Sequence, residues 1–88
     1  MDDFSVQVAG RFTALEFVLE VMLANNLAYM PEEVSEQFKS DLVSRPGYIK
    51  RGPMDADAMQ AIQSECAAVL ARFVEKVSER EVDIREKL

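Results

Sequence analysis

An apolar helix that a chain of this size cannot cover with its own segments is the strongest constraint in the sequence. Phe12, Leu15, Leu19, Met22 and Asn26 form a seam at spacings of 3, 4, 3 and 4. Ala14, Phe17, Val18, Val21 and Ala24 occupy other faces, leaving a thin polar stripe through Thr13, Glu16 and Glu20. A helix that is apolar over most of its circumference is buried on more than one side. The whole chain has 88 residues, and a domain of that size buries only about 60–65% of the surface its unfolded chain exposes. There is room for one core. The expectation is that a second copy supplies the missing cover.

The rest of the chain divides at its prolines. The first helical stretch covers about residues 4–27, with Asp2 or Asp3 as N-cap. Gly10 disfavours a helix interior, so an alternative is a helix beginning at Arg11 behind a short extended arm containing Val6 and Val8. Met30-Pro31 ends this stretch, because a residue before proline is pushed out of the α region. Pro31 suits the first position of a second helix over 31–43, with Glu32 and Glu33 near its positive end. That helix carries one apolar stripe, Val34, Phe38 and Leu42, read as its core-facing side. Residues 44–53 hold two of the three prolines and two of the three glycines. Pro46-Gly47 is a type II turn signature, so this is a connecting loop.

A long third helix follows over about 54–86. Its stripe runs through Met59, Ile62, Cys66, Leu70, Phe73 and Val77, then resumes at Ile84 and Leu88 after Glu81. Ile62, Phe73 and Ile84 repeat at eleven residues, a period that keeps a stripe nearly straight. Asp55 and Asp57 near its start, and Arg85 and Lys87 near its end, complement the helix dipole. Glu81–Arg85 and Asp83–Lys87 read as favourable i,i+4 pairs. The expected fold is all-α: two shorter helices and one long C-terminal helix in a single domain, a bundle completed by dimerisation. The residues expected to associate are Phe12, Leu15, Leu19 and Met22 in the first helix and Ile62, Leu70, Phe73 and Val77 in the third. Some of these must serve the intrachain core instead.

Charge and residue type remove several function classes. The net charge is −6, which disfavours general binding to nucleic acid or anionic membrane. The third helix is acidic near its start, where a helix-turn-helix reader needs Arg, Lys, Asn or Gln. There is no histidine and one cysteine, so histidine-based catalysis, histidine-ligated zinc and an intramolecular disulfide are excluded. The lone Cys fits a reducing compartment. The acidic Met1-Asp2-Asp3 start lacks the basic region of a signal peptide. Glu16 and Glu20 interrupt the most apolar stretch, which is too short for a bilayer span. A cytoplasmic protein is expected.

The candidate chemical sites reduce to plain structure on inspection. Cys66 lies on an apolar stripe with no base to activate it, and reads as a core thiol. Glu32, Glu33 and Glu36 resemble a carboxylate cluster for a hard cation, but dipole preference at a helix start explains them. Glu16 and Glu20 would have catalytic interest only if buried, and are read as the solvent stripe. The methionines and phenylalanines could line a cofactor or lipid groove; helical spacing makes them core. No cofactor, metal or catalytic set is expected.

The best candidate binding feature is the basic loop: Arg45, Tyr48, Lys50 and Arg51, with no acidic residue among residues 44–53. Its cations would pair with carboxylates of the chain itself or of a second copy; the alternatives are a partner-protein surface and, after that, a phosphate or nucleic acid at the start of the third helix. The sequence thus points to a small non-enzymatic interaction or regulatory module that forms a homodimer. An alternative is an acidic decoy that inhibits a partner with a basic cleft, using Glu75, Glu79, Glu81, Asp83 and Glu86. Arg80, Arg85 and Lys87 interrupt that negative run and weaken it.

Overall fold

The computed structural model describes residues 2–45, 52 and 55–88. It contains three helices, and no strand among the described residues: α1, Asp3–Ala28; α2, Glu32–Ser44; and α3, Ala56–Lys87. Loop positions 46–51, 53 and 54 lie outside the described residues, and with them Tyr48, Lys50, Arg51 and the expected Pro46-Gly47 turn.

The ends of the helices follow from their capping residues. The Asp2 carboxylate accepts from the Ser5 amide at 2.7 Å, and that bond holds its pKa below the usual 3.8. Asp55 caps α3 in the same way, accepting from the Ala58 amide at 2.7 Å. Each cap satisfies one of the amides that a helix start leaves without an internal partner. Because α1 is nucleated at Asp2, it runs unbroken through Gly10. The alternative of an extended arm ahead of Arg11 is not adopted, since one interior glycine costs only about 1 kcal/mol. Pro31 stands one position earlier than expected: with ψ at 144° it is the N-cap of α2 rather than its first helical residue.

The interior is small. Ala24, Leu27 and Val77 form its buried apolar cluster, with Ala28 also buried and Leu23, Phe73 and Ile84 packed against the cluster. At the crossing of α1 and α3 both Ala24 and Val77 are fully enclosed. A residue as small as alanine lets the two backbones approach closely. Val77 therefore belongs to the core of its own chain and does not reach the surface where association was expected of it.

The other interior positions are polar: Glu20, Ser35, Lys39 and Glu81. This changes two expectations. Glu20 is not on a solvent stripe; it is buried against α3, while Glu16 is exposed. In α2 the inward side carries Ser35 and Lys39, whereas Val34 and Phe38 remain about half exposed and Leu42 is half-buried. The helix is rotated by about one residue from the face its apolar stripe indicated, because a buried carboxylate on α3 must find a cation and a donor.

Beyond the crossing, two long pieces have little cover. No residue of α1 from Asp3 to Leu19 is buried, and none of α3 from Ala56 to Lys76. The chain measures 46 × 33 × 16 Å with a radius of gyration of 15.6 Å, where about 12 Å is usual for this length.

Candidate functional site

Two features stand out: a polar joint that locks the helices together, and an uncovered apolar face beside it.

Glu81 is the centre of the joint. Its Oε1 accepts from Lys39 Nζ at 2.9 Å, and its Oε2 accepts from Arg85 Nε at 2.9 Å. The Ser35 hydroxyl lies 2.9 and 2.8 Å from the two oxygens. Lys39 uses its remaining donors on Ser78 Oγ at 3.0 Å and on Glu36 at 2.9 Å. Arg85 reaches past Glu81 to the carbonyls of Leu27 and Met30, both at 2.8 Å. Helix α1 has no basic residue in its own last turn. Arg85 supplies that cation from α3, donating to the Leu27 carbonyl in the last turn of α1 and to the Met30 carbonyl just beyond it, at the negative end of the dipole. The joint thus ties α2 and the end of α1 to the same turn of α3.

The titrations reflect this arrangement. Burial pushes the Glu81 carboxyl up, but hydrogen bonds from Lys39, Ser35 and Arg85 outweigh it and hold the pKa below the usual 4.5. Burial pushes the Lys39 ammonium down, and hydrogen bonds to Glu81 and Glu36 outweigh it, leaving its pKa above the usual 10.5. Both groups are therefore charged at neutral pH. Among the described residues, no buried side-chain nitrogen or oxygen lacks a partner. Each buried polar atom of the cluster has a partner, so the joint is held from several sides at once.

A second polar contact lies further along α1. Glu20 accepts from Arg80 Nε at 3.1 Å, and the Arg80 guanidinium sits 4.9 Å over the Phe17 ring. Together these pin the α1–α3 crossing from its other side.

The apolar face is the α1 seam. Phe12, Leu15, Leu19 and Met22 are exposed at 63, 60, 54 and 57%. Where the seam approaches the body of the molecule, Leu19, Met22, Leu23 and Asn26 form one bank of a groove. Phe38 and Leu42 of α2, with Leu70 and Phe73 of α3, form the other. The groove has a volume of about 400 Å³ and lies open to solvent. Its apolar lining continues toward Asp41 and Arg45 at the end of α2.

The residues singled out in the sequence fall as follows. Phe12, Leu15, Leu19 and Met22 share the exposed seam. Leu70 and Phe73 stand across the groove from its end, and Ile62 lies half-buried further up α3. Arg45 is exposed, 4.0 Å from Asp41 in a weak i,i+4 pair. Cys66 is a half-buried free thiol on α3. Glu81 is withdrawn from the acidic run, while Glu75, Glu79, Asp83 and Glu86 remain exposed. Among the described residues, no group of three or more carboxylates or thiols is placed to hold a metal ion, and no helix is long and apolar enough to cross a membrane.

Sequence reasoning missed the joint. Two signals could have shown it: Glu81 stands in line with the apolar stripe of α3, and Ser35 and Lys39 share one face of α2 at i,i+4. No family model, curated protein or solved structure matches the chain.

Proposed function

We propose that this chain is a small non-enzymatic interaction module that works as a homodimer, in an adaptor or regulatory role. The supporting observation is a large total surface for its mass, together with a line of exposed apolar side chains on α1. The chain exposes 6786 Å², about 1,600 Å² more than the roughly 5,200 Å² usual for a folded monomer of its mass. A protomer gives up about 800 Å² in a standard stable interface, and more in an obligate homodimer. The surplus exceeds what one protomer gives up in a standard interface and falls in the obligate range, and Phe12, Leu15, Leu19 and Met22 on α1 are among the exposed apolar residues. Symmetric dimers are the commonest oligomers and relieve the shortage of core in a chain this small.

In this reading the groove and seam serve self-association. The basic loop, which starts at Arg45 where the groove ends, is the contact for a second protein of acidic surface. Association is tested by light scattering after size exclusion across a hundredfold range of concentration. The expected mass is twice the 9.9 kDa of one chain. A mass of one chain at every concentration overturns the reading.

A further inference from the structure

The α1 seam is exposed along one half and borders an open groove along the other, and this bears on how two copies would fit. The argument rests on the homodimer reading above and deepens it. Along α1, Val8, Phe12, Leu15, Leu19, Met22 and Asn26 follow spacings of 4, 3, 4, 3 and 4, the alternation of a coiled-coil seam. This line lies on the far side of α1 from the residues that pack on α3, because Ala24 and Leu15 are half a turn apart at 100° per residue. The intrachain fold leaves Phe12, Leu15, Leu19, Met22 and Asn26 exposed, with Val8 half-buried.

The two halves of the seam differ in shape. Val8, Phe12 and Leu15 stand on a projecting helix whose neighbouring residues carry no cover. Leu19, Met22 and Asn26 have the wall of Phe38, Leu42, Leu70 and Phe73 beside them. One half is a ridge, and the other borders a groove. A two-fold axis crossing α1 between Leu15 and Leu19 brings the ridge of each copy into the groove of the other. A parallel pairing instead packs ridge on ridge and body beside body, and leaves both grooves empty.

We infer that two copies pair through antiparallel α1 helices, the Val8–Leu15 ridge of each lying in the partner's groove between α1, α2 and α3. In this register Phe12 faces Met22 of the second copy, and Leu15 faces Leu19. Asn26 falls opposite Val8 at the outer end of the seam, where water reaches its amide. A single polar residue in such a seam penalises slipped registers. The contact is isologous, as closed two-fold symmetry requires.

The test uses single cysteines in a Cys66→Ser background. Phe12→Cys and Met22→Cys chains are oxidised with glutathione, each alone and after mixing with exchange of subunits. The expected result is a covalent dimer only in the mixture, through a 12–22 bond. Self-linking of each variant alone indicates a parallel pair and overturns the inference. A native chain that light-scatters as a dimer but gives no link in any sample places the interface elsewhere; it overturns the inference and leaves the homodimer reading standing. A native chain that is a monomer throughout overturns both, and assigns the seam to a different protein. Leu19→Asp supplies an independent readout. Its side chain is half exposed within one chain, so helicity is expected to persist while dimer dissociation becomes at least tenfold more favourable. Unchanged association of a folded Leu19→Asp chain also overturns the inference.

Discussion

Replacing Glu81 by glutamine removes one negative charge from between two cations and leaves the shape almost unchanged. In the native joint, Glu81 faces Lys39 at 2.9 Å and Arg85 at 2.8 Å, with its side chain 5% exposed and that of Lys39 6% exposed. After Glu81→Gln the carboxylate left to Lys39 among the described residues is Glu36, whose side chain is 73% exposed. The new amide oxygen still accepts from Lys39 or Ser35, but its NH₂ group meets the Arg85 donors. Removing one partner of a buried pair costs about 3–5 kcal/mol. The retained acceptor places this case near the lower end, about 3 kcal/mol. Domains of this length are stable by about 4–13 kcal/mol, so the loss takes a large share. Lys39→Met removes the opposite partner. Glu81 then keeps Arg85 and Ser35, methionine occupies much of the lysine volume, and the cost falls to about 1–3 kcal/mol. The double variant costs less than the two single changes added together, by about 0.5–3 kcal/mol, because the groups touch. Urea unfolding followed by circular dichroism at one fixed protein concentration measures all three. The reasoning is refuted if Glu81→Gln is no more harmful than Lys39→Met, or if the two effects add.

Two further outcomes follow from the same structure. Gly10→Ala is expected to raise stability by up to about 1 kcal/mol, because a methyl group there meets nothing within 4 Å; an unchanged or lower urea midpoint contradicts this. Stability against pH is expected to form a plateau. The Glu81 contribution is full above the unfolded value near 4.5 and is lost as pH falls through its depressed folded pKa; the Lys39 contribution is full below 10.5 and is lost as pH rises through its raised folded pKa. Urea midpoints measured from pH 3 to 11 check both limbs, and Lys39→Met should flatten the alkaline one.

The helices were legible because local physics specifies them. Asp2 and Asp55 cap as their carboxylates allow, and Met30-Pro31 separates α1 from α2. The α3 stripe is half-buried from Met59 to Phe73 and buried at Val77, whereas Leu88, its last expected member, is exposed and Glu81 is buried in line with it. What the pattern did not convey was the rotation of α2. Val34, Phe38 and Leu42 formed the most apolar line on that helix, and hydrophobic periodicity takes such a line as the buried one. The structure turns Ser35 and Lys39 inward instead, giving the buried Glu81 carboxylate a second cation and a hydroxyl donor that Val34 and Phe38 cannot supply. Periodicity counts apolar residues on one helix, whereas this choice depends on a charge 42 residues further along the chain. The same limit explains Glu20, which sequence placed with Glu16 on the solvent side and which the Arg80 guanidinium draws into the α1–α3 crossing.

The small apolar core and the polar joint answer different physical needs. Contact between Ala24, Leu27 and Val77 is short-ranged but has no preferred direction, and two helices touching at an alanine can pivot over a range of angles at little cost. Hydrogen bonds have direction. Arg85 fixes where α1 ends relative to α3, Lys39 and Ser35 fix the rotation of α2, and Arg80 with Glu20 restrains the crossing from its other side. A helix projecting well beyond its own core needs such restraints if its free half is to point one way. The orientation of α2 also sets Phe38 and Leu42 opposite Leu19 and Met22. The charges spent inside the protomer thereby define the apolar groove on its outside, and a pairing face built on that groove depends on Glu81 although Glu81 never reaches it.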